Sequence, residues 1–545
     1  MSKRDRWRWS ARAESFGRSR AERFRREAPT IHVVGLSLLF LVPGLLIALV
    51  IEWGSASSDD EGALLLGAVV ALGAGLTFFL PTRVGNQIGP RSVFAAVAWS
   101  WVACSVVGAL PYVAGSMFSW REFDSALFEA VSGFSATGST VLSDIEANGR
   151  GILMWRQITQ FYGGMGMVVL AVTVLPLLGV GGLALMSAEA PGTTSDRLAP
   201  RVTETARSLW KLYLGLTFVV ALLLWMVPGP SLYDAVTHAL TTTSTGGFST
   251  YNGSVGHFDS WLVESVIVAG LFLCGLNFTL HFRALRGELG AYRRSSDARL
   301  YTVVILGAIA VATLVNWLVE VRDTQGRLLD VSLAGSLRDA TFNVVTLGSS
   351  GGFGNARGAD SLGNFVLWAP QLQIMLLLIM VVGGSIGSTA GGLKVFRAEV
   401  AFKHAVRAIR RIRHPQGVMP IKLGDQGVPD DIVARVIGFV TTFLLITTLG
   451  ALAVAATGAP ILESVSASIS AMSNMGPALG EAGPRSNFLV FDRQARAILT
   501  VLMLIGRLEL FAVLLMFAAP AATIQRNITG RKRRREVPAL TRGSG

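Results

Sequence analysis

Mostly apolar stretches of about twenty residues recur along this chain from one end to the other, each long enough to cross a hydrocarbon layer of about 30 Å as a helix. Ten can be placed, near residues 31–53, 62–81, 92–115, 152–178, 208–228, 261–282, 299–320, 366–396, 431–456 and 495–520. Inside lipid a backbone must satisfy its own N–H and C=O groups, so the expected fold class is an all-α polytopic membrane protein. With 51% of its 545 residues hydrophobic and 15% charged, the chain keeps little sequence in reserve for a large soluble domain.

The net charge of +13 would suggest nucleic acid in a soluble protein. Here the Lys and Arg residues cluster in short segments between apolar runs and read as topology signals, so no nucleic-acid partner is expected. An even number of spans puts both termini on one side. Arg83, Arg91, Arg197, Arg201, Arg207, Arg283, Arg286, Arg293, Arg294, Lys403, Arg407, Arg410, Arg411, Arg413 and the tail from Arg531 to Arg535 make that side cytoplasmic, while Asp59, Asp60 and Glu61 face the opposite way. The basic start, from Lys3 and Arg4 to Arg26, precedes an apolar run too long for a signal peptide, so that run reads as a retained first helix. Cys104 and Cys274 both lie in apolar runs, which leaves neither a disulfide framework nor a Cys-rich metal site.

Between some spans lie segments too polar to cross a membrane and too apolar for ordinary loops, each ending in a Gly-containing turn. Four align: FDSALFEAVSGFSATGSTVL (123–142), LYDAVTHALTTTSTGGFSTY (232–251), LRDATFNVVTLGSSGGFGNA (337–356) and LESVSASISAMSNMGPALGE (462–481). The glycines aligned are Gly138, Gly246, Gly351 and Gly476, at intervals of roughly a hundred residues, enough for one helix, one re-entrant segment and one helix per unit. Near the start of each segment stands an acid, Asp124, Asp234, Asp339 or Glu463, expected to cap a short helix at its positive dipole end. The negative ends of four such helices then converge on one cavity that favours a cation.

A dehydrated cation needs a wrapping of oxygens, and backbone carbonyls from four extended loops supply one, with glycine allowing backbone angles that other residues resist. Small or short residues precede each glycine: Ala136-Thr137, Ser244-Thr245, Ser349-Ser350 and Asn474-Met475. In the third segment Gly348 and the Gly351-Gly352 pair leave the register open between Gly351 and Gly352.

At these residues the chain resembles the Trk/Ktr/HKT superfamily of K⁺ transporters, and within it the TrkH-type membrane subunit. The likeness extends over residues 30–525 and includes LPLLGVGGLALMSAEAPG (175–192), GGSIGSTAGGLKVFR (383–397) and GRLELF (506–511). It implies gated K⁺ uptake, K⁺ being the transported ion held at the residues named above, with no covalently bound cofactor. It also implies a homodimer in the cell's inner (plasma) membrane, embedded in the lipid bilayer and regulated by a cytoplasmic nucleotide-binding subunit of the TrkA or KtrA kind. The chain then divides into a basic segment (1–30), two extra helices (31–91), four repeats (92–207, 208–298, 299–430 and 431–525) and a basic tail (526–545). Na⁺-selective or Na⁺-coupled transport by the same fold is the alternative.

Residues 383–392 interrupt a long apolar stretch with Gly383, Gly384, Gly387, Gly391 and Gly392 beside Ser385, Ser388 and Thr389, so an unbroken helix is not expected there. In the family it resembles, this loop lies beneath the filter and, with the matching Lys394 and Arg507, obstructs the pore until the regulatory subunit changes state. Arg507 inside an apolar run costs about 2.5 to 3.5 kcal/mol on insertion scales and calls for a fixed partner or a function, with Glu509 nearby. The stretch GSTAGGLK mimics a phosphate-binding loop, but Leu393 separates Gly392 from Lys394 and Val395 stands where Ser or Thr is needed. His238 is a lone histidine and reads as packing or capping, and no acid, base, nucleophile or metal constellation points to an enzyme.

Overall fold

The computed structural model describes residues 3–55, 60–82, 90–173, 198–415, 417, 419–424 and 426–508. The stretch 175–192, the second half of GRLELF with Glu509, and the tail arginines lie outside those residues. Long helices α1 (Lys3–Ser55), α2 (Glu61–Phe79) and α3 (Pro90–Ala114) come first, followed by the short α4 (Phe123–Phe134) and the long α5 (Arg150–Thr173). Next are α6 (Leu198–Met226), the short α7 (Leu232–Thr243), α8 (Trp261–Cys274) and α9 (Phe278–Leu285). A third group holds α10 (Ser296–Leu318), α11 (Leu333–Gly348), α12 (Pro370–Val382) and α13 (Val395–Arg413). After a two-stranded antiparallel hairpin, Ile421–Leu423 with Gln426–Val428, come α14 (Asp430–Ala455), α15 (Ile461–Ser473) and α16 (Arg493–Arg507).

Among the described residues six helices are long and apolar enough to cross a membrane, or seven if the bent pair α8–α9 counts as one span. The helices turn Leu, Val, Phe and Trp side chains outward, among them Phe218, Trp225, Val303 and Leu452, as lipid-facing helices do. Among the described residues, two of the expected spans are broken. The run 366–396 stops at Val382, where Gly383 takes φ +70°, and restarts at Val395. The run 261–282, which reads as one span in the sequence, turns by 98° between Cys274 and Phe278. Asn277 caps the new helix by accepting from the Thr279 N–H, and the Phe278 N–H is taken by Gly387 of the 383–392 segment, so one break fastens the other.

The packing closes on itself. Each short helix nests against the long helices before and after it: α4 on α3 and α5, α7 on α6 and α8, α11 on α10 and α12, α15 on α14 and α16. Each group then hands on to the next, α5 touching α7, α8 touching α11, α12 touching α15, and α16 returning to α4. The helices α1 and α2 pack outside this ring, on α3 and α5, through a core that includes Leu38, Leu45, Leu64, Tyr112 and Trp155.

Candidate ion pathway

The four short helices end in one repeated backbone turn. In each, an N–H bonds back to a carbonyl five residues earlier: Thr137 to Ser132, Gly246 to Thr241, Gly351 to Thr346 and Met475 to Ser470, at 2.6 to 2.9 Å. The residue before each donor takes a left-handed conformation, Ala136 (φ +50°), Thr245 (+53°), Ser350 (+57°) and Asn474 (+53°). The residue after it is a glycine with positive φ: Gly138 (+89°), Gly247 (+79°), Gly352 (+70°) and Gly476 (+94°).

This geometry corrects the register read from the sequence in two segments. Gly138 and Gly476 stand where expected, but Gly246 and Gly351 do not match them, and the equivalent glycines are Gly247 and Gly352. Ser244 and Ser349, placed in the sets Ser244-Thr245-Gly246 and Ser349-Ser350-Gly351, are the cap residues that end α7 and α11. With two glycines in a row the sequence permits either choice; the torsion angles decide, because only the second has the positive φ that disfavours other residues.

These glycines meet in a ring. A Cβ placed on Gly138 would overlap the Gly246 carbonyl, one on Gly247 the Gly351 carbonyl, and one on Gly352 the Met475 carbonyl. A Cβ on Gly476 would crowd the Thr137 carbonyl, which closes the circle. All four glycines border one cavity of about 110 Å³, with Ser139, Phe248, Tyr251 and Asn487 in its wall.

Of the four acids, three sit in a first helical turn. Asp234 forms a reciprocal cap with Ser231, Glu463 begins α15, and Asp124 begins α4 facing Arg493 and Arg496. Asp339 does not, because α11 starts earlier and is capped by Ser332. Its carboxylate instead receives Asn355 at 2.9 Å and Arg357 at 2.9 Å.

The 383–392 segment packs against the second, third and fourth turns. The Thr245 hydroxyl donates to the Thr389 hydroxyl at 3.2 Å, and the Gly391 N–H donates to the Ser350 hydroxyl at 2.7 Å. Arg507, 2% exposed, donates to the Thr389 carbonyl at 3.1 Å and to the Gly163 carbonyl at 2.9 Å. Gly391, Gly392, Lys394, Asn474 and Arg507 border a void of about 10 Å³, and Lys394 bonds the Ala390 carbonyl. Ser385 and Gly387 are tied by backbone bonds to Gly275 and Phe278 at the α8–α9 break, and Ser388 bonds back to Ser385 inside the segment. Asn474 reaches the Thr137 hydroxyl and the Met503 carbonyl, both at 2.9 Å. Gly383 and Gly384 lie at the start of the segment, Gly383 against Gly391 and Gly392 and Gly384 against Ala390.

The TrkH family model, which describes a cation transport protein, matches residues 67–526, a stretch that takes in all four turns and the segment beneath them. The chain belongs to the TrkH family of cation transport proteins. "Trk system potassium uptake protein TrkH" of Salmonella typhimurium is 36% identical over 478 residues, 84% of this chain and 95% of that protein. Its namesake from Halomonas elongata is 36% identical over 494 residues, 89% of this chain and 97% of that one. The crystal structure of the potassium transporter TrkH from Vibrio parahaemolyticus matches with a TM-score of 0.79 at 30% identity, over 90% of this chain and 98% of that chain. A TrkH-family chain is a membrane transport protein and not an enzyme.

Several buried polar residues of this TrkH-family chain, His238 apart, were not singled out in the sequence. Counting back from the cap, Glu129, His238 and Asn343 occupy one equivalent position on α4, α7 and α11. Each holds the strand beyond its own glycine: Glu129 takes the Thr140 hydroxyl and the Val141 N–H, His238 pairs with Ser249, and Asn343 with Asn355. His238 thus packs and braces, as read. Arg156 and Gln160 of α5 are also buried, and the signal was present as MWRQITQ, an Arg and two Gln residues inside an otherwise apolar helix. Outside the helices, the Asn252 amide beside Asp144 holds that carboxyl below its usual range and links the strand after Gly138 to the strand after Gly247.

Proposed function

We propose that this chain is a gated pathway for K⁺ uptake across the plasma (inner) membrane, the ion passing along the axis of four helix, re-entrant loop, helix repeats. The observation that carries this reading is the ring in which each positive-φ glycine abuts the carbonyl of the next unit's turn. A closed ring of four equivalent turns brings backbone oxygens together at the negative ends of four helices, where a dehydrated cation is favoured. The filter residues are then Ala136-Thr137-Gly138, Thr245-Gly246-Gly247, Ser350-Gly351-Gly352 and Asn474-Met475-Gly476. K⁺ is the ion because the relatives are named for potassium uptake. A negative-inside potential supplies about 2.3 kcal/mol per charge per 100 mV.

The segment from Gly383 to Gly392, with Gly384, Gly387, Ser388, Thr389 and Gly391, is the gate, and Lys394 and Arg507 add positive charge beside it. Non-helical backbone at such depth is tolerated where it is packed in protein or lines a cavity, and this segment meets three of the four turns and Arg507. Release of the segment falls to a cytoplasmic nucleotide-binding subunit of the TrkA or KtrA kind acting on a homodimer with cytoplasmic termini.

The test is ⁸⁶Rb⁺ uptake into proteoliposomes holding the purified chain, with and without the regulatory subunit, competed by K⁺ and by Na⁺. Uptake suppressed by K⁺ and only weakly by Na⁺ supports the reading. Equal or stronger competition by Na⁺ assigns the chain to Na⁺-selective or Na⁺-coupled transport, and no flux with the regulator present overturns the proposal.

A further inference from the structure

Helix α5 carries Arg156 and Gln160 four residues apart, hence on one face a single turn apart. Both are at most 1% exposed, within a buried polar run that also holds Gln157 and Thr159, and both reach the turn of the following repeat. The Gln160 side-chain amide donates to the Gly246 carbonyl at 2.7 Å, while its oxygen accepts from the Phe248 N–H at 3.0 Å. It therefore grips the chain on both sides of Gly247. Arg156 donates to the Ser249 carbonyl at 2.9 Å and lies over the Phe248 ring, 3.5 Å from its centroid. Its Nε donates to Glu129 at 2.6 Å, and Glu129, fully buried, holds Thr140 and Val141 of the strand after Gly138.

We propose that Arg156 and Gln160, locked by Glu129, are positioning residues that fix the spacing between the first and second filter strands and so set the discrimination between K⁺ and Na⁺. The proposal rests on the filter reading above. Its logic is geometric. The Gly246 carbonyl is the one that abuts Gly138 of the neighbouring unit, and its orientation is set by the Gln160 amide that donates to it. A carbonyl ring that holds its diameter penalises the smaller ion, whereas one free to contract accommodates it. Arg156 also borders the cavity outside the ring, where Glu129 neutralises its charge, so an entering cation does not meet a bare guanidinium.

Two variants test this, each compared with the wild-type chain by the same ⁸⁶Rb⁺ competition assay. Gln160→Met keeps the volume and removes both hydrogen bonds. Its ratio of half-inhibitory Na⁺ to K⁺ concentrations is expected to fall about five-fold, the equivalent of one net hydrogen bond. Glu129→Gln keeps the shape and unmasks Arg156, so the Rb⁺ concentration for half-maximal uptake is expected to rise while the profile on size exclusion stays that of the wild type. Should one variant fail to accumulate in the membrane, the other carries the test. Unchanged ratios and unchanged half-saturation, with only the maximal rate reduced, would mean that these residues merely support the fold, and would overturn the proposal. Loss of K⁺ competition in the wild-type chain itself would instead sink the underlying function reading.

Discussion

Substituting alanine separately at Gly351 and Gly352 asks which glycine belongs to the ring. At Gly352, φ is +70°, and an L-residue held in the left-handed region costs roughly 1–2 kcal/mol. The new methyl also overlaps the Met475 carbonyl, which is backbone and cannot swing aside without moving the fourth turn. Overpacking of that kind costs typically about 1–3 kcal/mol. Together these terms disfavour the ordered turn by more than about 2 kcal/mol, or over ten-fold in population. At Gly351 no positive φ is required, and the methyl meets the Leu271 methyls at 2.7 and 2.8 Å and the Thr346 hydroxyl at 3.0 Å. A leucine can shift within its well for about 0.5–1.5 kcal/mol. Gly352→Ala should therefore abolish K⁺-competed ⁸⁶Rb⁺ uptake or its preference over Na⁺, while Gly351→Ala keeps both within about ten-fold of wild type. Equal damage from the two, or greater damage at Gly351, would refute the register and the steric argument with it.

Gly246→Ser should lower the K⁺ to Na⁺ preference by displacing the Gln160 amide, which a Cβ there would meet first, and an unchanged ratio in a well-folded variant would remove Gly246 from the filter. Arg507→Gln, which deletes the charge but keeps an amide donor, should raise ⁸⁶Rb⁺ leak without the regulatory subunit; tight closure in that variant would assign Arg507 to packing alone. Ser350→Ala leaves the buried Gly391 N–H without its acceptor, a penalty of about 1–3 kcal/mol on the docked segment, so leak should rise there as well. Deleting residues 387–391 should give the largest leak of the series, and flux that remains fully regulated would show that the gate lies elsewhere.

The long apolar runs, the four short helices and the break at Gly383 were all legible in the sequence, because length, composition and glycine density are local signals. What was not legible depended on partners far along the chain. The 98° turn after Cys274 has only Gly275 and Asn277 to announce it, and its cause is the docking of residues more than a hundred positions away. The choice between Gly246 and Gly247 is invisible to composition, since both are glycine and only the torsion angle tells them apart. Asp339 looked like Asp234 in alignment, yet four additional residues at the start of α11 and the Ser332 cap put it one turn inside the helix, where Arg357 and Asn355 claim it. Arg156 could have been flagged, because an arginine in an apolar helix needs an anion or a set of carbonyls, but neither Glu129 nor Ser249 is adjacent to it in sequence.

The four turns share a backbone and little else. Ala136, Thr245, Ser350 and Asn474 fill the same left-handed position, and for each non-glycine residue that conformation costs on the order of 1–2 kcal/mol. Each turn is held against that strain by its own means: Glu129 with Arg156 in the first, His238 with Ser249 and Gln160 with Phe248 in the second, Asn343 with Asn355 in the third. In the fourth, the Ser466 hydroxyl accepts from Leu479 and the Ser470 hydroxyl donates to the Gly476 carbonyl. Side chains behind the turns are thus free to differ so long as each turn keeps a brace of its own. The following glycine has no such freedom, because its Cα lies against the neighbouring unit's carbonyl, and a side chain at any one of the four positions would push on a turn it does not belong to. The tolerance behind the ring and the intolerance within it follow from the same geometry.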